Sequence, residues 1–334
     1  MIRRPLLVAV LAAVVVAPLS AQAPFKAGRT PWGDPDLQGN YTNLYENGTP
    51  LERPKEFEGR TLDDVKGEEL ARIKAATQER TINAFQGPIH APDNWWQDAL
   101  NLKKGSQAWL VVDPPDGKVP PLTPEAEKRI AASAEARRSL GHGPADSWED
   151  RSLYDRCLTR GLPGSMMPAI YGNSYQIVQG PGYIAIRYEM IHETRVIPLD
   201  NHTHVGRNIH LDMGDARGHW DGETLVVETT NFKDRSVYRN ANAAALKLTE
   251  RFTRIAPNRV KWSVTVDDPG TWTRGWTFAM PLTLNDGEPL MPYECHEGNY
   301  GLKNILSAAR ADEKAGSTGS GGAGGDPSAP ADDR

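Results

Sequence analysis

Glu189, His192 and Arg195 stand close together in the chain, and five of its eight histidines fall between His192 and His219. A carboxylate, an imidazole and a guanidinium in this proximity are the parts of an acid–base site. The carboxylate takes a proton, the imidazole titrates near neutral pH, and the guanidinium steadies a developing anion. If a hairpin turn centres on His192, Glu189 and Arg195 fall opposite one another and pair across the strands. An exposed pair of that kind contributes only about 0–1 kcal/mol, so an incidental surface hairpin is the competing reading. A second group, Glu294-Cys295-His296-Glu297-Gly298-Asn299, sits where a strand is expected to end. Burial there would raise the Glu294 carboxyl and suit it to be a base; a disulfide-anchored turn with its acids in solvent is the alternative.

The catalytic candidates are therefore Glu189, His192, Arg195, His204, Asp221, Glu294 and His296. Glu189 or Glu294 would be the base, His204 or His296 the proton donor, and Arg195 the anion stabiliser. His202-x-His204 and His219-x-Asp221 are the nearest approach to a metal set. With no HExxH and no paired CxxC, no metal is expected, and a metal stands as the lesser alternative. The chain contains no GxSxG, no Walker loop and no GxGxxG after a strand, so neither serine-hydrolase nor nucleotide chemistry is indicated and no organic cofactor is expected.

Such side chains need a frame, and the sequence predicts one in strands. Alternating apolar and polar residues mark Tyr175–Gln179, Tyr183–Met190, Thr194–Leu199, Thr224–Thr230, Leu248–Ile255, Val260–Val266, Trp272–Leu282 and Leu290–Glu294. This is mainly β structure, an antiparallel β-barrel of about eight strands, calycin- or lipocalin-like, with an N-terminal extended and α-helical region packed on it. Period two puts Ile184, Ile186, Tyr188 and Met190 on one inward face, Leu246, Leu248, Glu250 and Phe252 on another, and Val260, Trp262, Val264 and Val266 on a third. Trp272, Arg274, Trp276, Phe278, Met280 and Leu282 form a fourth. Arg274 and Glu250 are charges on apolar faces and must be paired, with each other or through a ligand, unless a bent strand lets one of them reach solvent. Tyr188, Glu250, Trp262, Arg274 and Trp276 are the ligand-binding candidates.

Residues 1–23 read as a leader: Arg3 and Arg4, the apolar run Leu6 to Val16, then Ala21-Gln22-Ala23. Cleavage after Ala23 implies a periplasmic or secreted protein with no later membrane span. In such a compartment Cys157 and Cys295 are expected to form a disulfide, a catalytic thiol being the rival reading. Residues 24–150 form the N-terminal region. Thr61 is expected to cap a helix over Leu62–Arg80 and Thr123 a second over Pro124–Ser139, with a short strand at Trp109–Val112 between them. Residues 151–311 form the barrel domain, with a helix over Leu302–Arg310 expected to plug or flank one end, and residues 312–334 read as a disordered tail of Gly, Ser, Ala, Pro and Asp. The net charge is −5 with no concentrated basic patch, which argues against nucleic acid as a partner.

Four stretches carry a resemblance: Thr30-Pro31-Trp32-Gly33-Asp34-Pro35-Asp36-Leu37-Gln38-Gly39; Val111-Val112-Asp113-Pro114-Pro115-Asp116-Gly117; Met213-Gly214-Asp215 through Gly218-His219-Trp220-Asp221-Gly222-Glu223-Thr224-Leu225-Val226-Val227; and Glu294-Cys295-His296-Glu297-Gly298-Asn299-Tyr300. On these the chain resembles a family of uncharacterised exported bacterial proteins. The resemblance implies Glu, Arg, Asp and His at Glu189, Arg195, Asp200 and His204, and Asn in some relatives at His192. It also implies Gly-Arg-Pro-His where this chain has Asn201-His202-Thr203-His204, so His202 is a departure. No reaction comes with it. The residues taken together lead to the expectation of an exported enzyme using acid–base chemistry, of lyase, isomerase or hydrolase type, on a small apolar or aromatic molecule in a barrel pocket. A carrier of a hydrophobic ligand and a protein-docking module are the alternatives.

Overall fold

The computed structural model describes residues 25–84, 101–139, 143, 145–169, 172–200 and 202–316. The leader and most of the tail lie outside the described residues. The protein is mainly β. Its strands are β1 (Gly39–Thr42), β2 (Val111–Asp113), β3 (Ser174–Gly180), β4 (Tyr183–Tyr188), β5 (Thr194–Pro198), β6 (Asp215–Asp221), β7 (Thr224–Thr230), β8 (Lys247–Ala256), β9 (Arg259–Asp267) and β10 (Trp276–Leu284). Its helices are α1 (Gly67–Ala84), α2 (Pro124–Ser139) and α3 (Gly301–Lys314).

The strand order is β5-β4-β3-β1-β10-β9-β8-β7-β6, every pairing antiparallel, with β2 added to one side of β10. Followed around, this is an up-and-down barrel of nine strands in which each lies beside its neighbour in that sequence. Tight turns explain much of the order: Gly180 pairs with Tyr183 and Asp221 with Thr224, leaving two-residue loops with Gly182 and Gly222 at positive φ.

The barrel is nearly closed. Among the described residues no ladder joins β5 to β6, yet the two edges approach closely at one end. A Cβ on Gly218 of β6 would meet Ile197 Cγ2 and Leu199 Cδ2, both at 2.8 Å, so only glycine admits the contact. This explains why β6 is hard to read in sequence: its inward positions are Ala216, Gly218 and the half-buried Trp220, too small and mixed to alternate clearly.

The inward faces of β4, β8 and β9 are those expected from period two, and their residues are buried. Phe252, Trp262, Phe278, Trp276 and Trp272 contact one another in series, with ring centroids 5.5–6.4 Å apart. Burial of each such ring stabilises the barrel by roughly 1.5–3 kcal/mol. The aromatic side chains that were expected to line a hollow pack against each other.

Three expected elements differ. The strand expected over Trp272–Leu282 begins at Trp276, because Thr271 and Trp272 both donate their N–H groups to Asp268 O and make a turn there. No strand forms at Leu290–Glu294, where Pro292 lacks a donor and the chain runs as a loop anchored by buried Leu290 and Cys295. Thr61 caps a separate turn at Leu62–Asp64 through a reciprocal bond with Asp64, and α1 starts only at Gly67, whose φ is +58°. The second helix has the expected bounds, its Thr123 Oγ1 accepting from Ala126 N. α1 packs its Leu70 and Ile73 near Phe57, Val65 and Trp109, a small core apart from the barrel.

Candidate functional site

The structure gathers part of the expected site at the centre of the barrel. Arg195 of β5 reaches Glu250 of β8 with two hydrogen bonds, Nη1 to Oε2 at 2.5 Å and Nη2 to Oε1 at 3.1 Å. Trp262 Nε1 donates to Glu250 Oε1 at 3.1 Å. Both ions are buried, Glu250 completely. Burial opposes the Arg195 charge, but Glu250 and Tyr188 outweigh it and hold its pKa above the usual guanidinium value. Burial also pushes the neighbouring Tyr188 phenol well up, so it stays protonated. Arg195 Nε and Trp276 Nε1 are buried donors without a protein partner.

This arrangement revises two expected pairings. Arg195 lies opposite Ile186 in the ladder, not opposite Glu189, because Glu193 O accepts from Tyr188 N and shortens the turn. Glu189 accepts instead from Ser174 N at 3.1 Å. Arg274, expected to face inward, leaves the barrel at the Asp268 turn and binds exposed Asp113 at 3.1 Å. With its guanidinium fully turned to Glu250, Arg195 has a charge partner already and is not posed to hold an external oxyanion.

The remaining sequence candidates are not brought to that centre. His192 is exposed, with Nδ1 2.8 Å from Tyr293 O. Asp221 pairs with Arg251 on the outer face at 2.7 Å. Glu294 and His296 are exposed on the loop that carries Cys295. Cys295 is bonded to Cys157, as expected, with their Cα atoms 5.9 Å apart. Among the described residues no three His, Cys, Asp or Glu side chains are grouped to hold a metal. No described helix is long and apolar enough to cross a membrane.

A cleft opens instead at the seam of the barrel. Beyond the tight contact at Gly218 the edges of β5 and β6 diverge, and Thr194, Arg195 and Val196 face the segment from Leu211 to Ala216 across a cavity of about 340 Å³. Gly214 sits at φ +68° where a Cβ would strike Thr230 O at 2.7 Å, and this turn aims Met213 and Asp215 at the seam. Val196 and Leu211 give it an exposed apolar rim.

Asp215 in the cleft wall holds His204. Its Oδ2 lies 2.8 Å from His204 Nδ1 and accepts from Val205 N at 3.1 Å, while Oδ1 is 3.0 Å from Arg217. A carboxylate only accepts, so Nδ1 carries a proton, and in the neutral ring Nε2 keeps its lone pair. Two further carboxyls stand close by. Asp212 is held below the usual carboxylate range: burial works against its charge, but Lys233 and Arg235 bond to it and prevail. Glu193 is pushed up by burial, although Thr159 Oγ1 donates to it at 2.9 Å. Met213, whose sulfur lies 3.6 Å from Thr159 Oγ1, lines the cleft.

His204 was among the sequence candidates; Asp215, Met213 and Glu193 were not. The Met213-Gly214-Asp215 run was visible as a motif but without assigned chemistry, and its meaning depends on a seam that no local pattern reveals. The other histidines of the cluster have local partners: His202 with Asp200, His210 with Phe232 O. No protein-family model matches this chain, and no curated protein and no solved structure is similar to it.

Proposed function

We propose that the seam cleft binds a small molecule with an apolar body and that His204, oriented by Asp215, performs acid–base chemistry on it. The observation that carries this reading is the bond from His204 Nδ1 to a carboxylate of the cleft wall. That bond fixes the tautomer, and the carboxylate stabilises the imidazolium formed when Nε2 takes a proton. Val196, Leu211 and Met213 would receive the apolar part of the molecule. The volume is near the lower end of small-molecule sites, which run about 300–1,000 Å³. Lyase, isomerase and hydrolase reactions all suit one base that returns its proton. Export fits a chain whose two cysteines are bonded.

Methionine methyl NMR tests the reading, with the Met213 signal assigned by Met213→Leu and benzyl alcohol, acetophenone and phenyl acetate as probes. The expected result is a saturable shift of the Met213 methyl, together with phenyl acetate hydrolysis that falls roughly a hundredfold in Asp215→Asn. A shift without any turnover identifies a carrier, which the exposed Val196 and Leu211 rim favours as the second reading. If no probe moves the Met213 signal, the cleft is not the site.

A further inference from the structure

Two strand edges face each other across the seam cleft, and no ladder joins them there. On β5 the hydrogen bonds to β4 fall on odd-numbered residues: Tyr188 N donates to Glu193 O, Leu199 N donates to Gly182 O, and Arg195 lies opposite Ile186 in the same register. An antiparallel ladder alternates, so the N–H and C=O groups of Thr194 and Val196 turn the other way, into the seam. Pro198 stands in the same phase, where a missing donor costs no ladder bond. On β6 the two-residue turn closes on Asp221 and Thr224, which gives the bonds with β7 to Asp221, His219, Arg217 and Asp215. Ala216 therefore faces the seam as well, and its carbonyl accepts from Arg217 Nη1 at 2.8 Å instead of from a strand. Among the described residues no ladder, turn or side chain takes up the N–H groups of Thr194, Val196 or Ala216.

Direction, length and charge narrow what can lie between these edges. Every step in the order from β5 to β6 is antiparallel and the order holds nine strands, so β5 and β6 run the same way. A segment antiparallel to both continues the alternation. From Thr194 to Val196 the free edge spans about 6.6 Å, the length of two extended residues. The charged side chains of the wall are already matched: Arg195 by Glu250, Asp212 by Lys233 and Arg235, and Asp215 by Arg217. A carboxylate or an ammonium placed there would meet no free counter-charge among them.

We propose that the seam cleft takes an uncharged diamide: an amino acid with an apolar side chain, acylated at its nitrogen and amidated at its carboxyl, lying along β5 as a short added strand. This names the substrate class of the site and rests on the reading of the cleft as a binding site. The residue opposite Val196 donates its N–H to Val196 O and accepts from Val196 N, and its side chain lies on the face of exposed Val196 and Leu211. Its flanking amide groups turn to β6, where Ala216 offers its N–H.

Titration of the full chain, labelled with nitrogen-15 and at the methionine methyls, provides the test. The ligands are N-acetyl-leucine methylamide, its analogue with both amide hydrogens replaced by methyl, free leucine, and acetophenone as the apolar reference. The diamide is expected to shift the Met213 methyl, to move the Val196 amide proton downfield, and to bind about tenfold or more tightly than the methylated analogue and than leucine. Equal affinity for the diamide and its methylated analogue, tighter binding of leucine, or a Met213 shift without movement of the Val196 amide overturns the diamide. If acetophenone moves Met213 and the diamide does not, the cleft serves another class of molecule and this inference fails alone. If neither moves it, the reading of the cleft as a site fails and the diamide with it.

Discussion

Two of the ion pairs buried among the described residues are built differently. Under α1, Lys74 Nζ meets Glu46 Oε2 at 3.0 Å, and Glu46 also accepts from Thr49 Oγ1, Ser106 N and Ser106 Oγ. Lys74 additionally bonds to Thr49, and both ions are 2 % exposed. In the barrel, Glu250 accepts from Arg195 and Trp262, and Arg195 Nε has no partner. The first pair is a clamp with many donors on one carboxylate. The second has fewer donors on its carboxylate, the Arg195 guanidinium and the Trp262 indole. A buried charge is costly in proportion to the hydrogen bonds it lacks, so the two should respond unequally to loss of a partner.

The largest expected effect is in the barrel. Glu250→Gln leaves the Arg195 charge buried without a counterion and should cost about 3–5 kcal/mol in urea denaturation. The paired change Arg195→Met, Glu250→Leu should recover most of that loss. If the single variant is as stable as the wild type, the barrel pair is not the strained one. Lys74→Met should cost less, about 1–3 kcal/mol, because three donors remain on Glu46. Burial already depresses the Lys74 pKa, which means the fold bears its charge reluctantly. A Lys74→Met loss equal to that of Glu250→Gln would remove the distinction between the two pairs.

The smallest effect concerns Glu193, a half-buried carboxyl outside both pairs. Its folded pKa is raised above 4.5, so the native state binds its proton more tightly than the unfolded chain does. That stability is present below pH 4.5 and is lost as pH rises through the folded pKa. Glu193→Gln keeps an acceptor for Thr159 and carries no charge, so its stability should be flatter with pH and above the wild type by under about 1 kcal/mol at pH 8. Thermal melts between pH 4 and 8 check this; parallel curves for the two proteins would show that Glu193 does not titrate abnormally.

Local pattern was sufficient where one side chain type must face one environment. The faces of β4, β8 and β9, the Thr123 cap, the Cys157–Cys295 bond and the buried charge at Glu250 all follow from alternation, composition or compartment. Each is a matter of burial or of a short hydrogen bond, and both leave marks within a few residues. Arg274 misled because a strand face extrapolates cleanly until a turn interrupts it, and the Asp268 turn has no strong signal beyond Pro269-Gly270.

Read alone, the amino-acid order determined an antiparallel β protein with large aromatic residues on its inward faces, since period-two alternation is a direct consequence of the pleat. Only tertiary structure decided which charges meet. Arg195 finds Glu250 rather than Glu189 although no ladder joins β5 to β8, and His204 finds Asp215 where the loop before β6 folds back on that strand. The position of the cleft is tertiary in origin too. It lies where the last two edges touch at Gly218 and part at Gly214, and that gap arises from closure of the whole ring, not from any one strand.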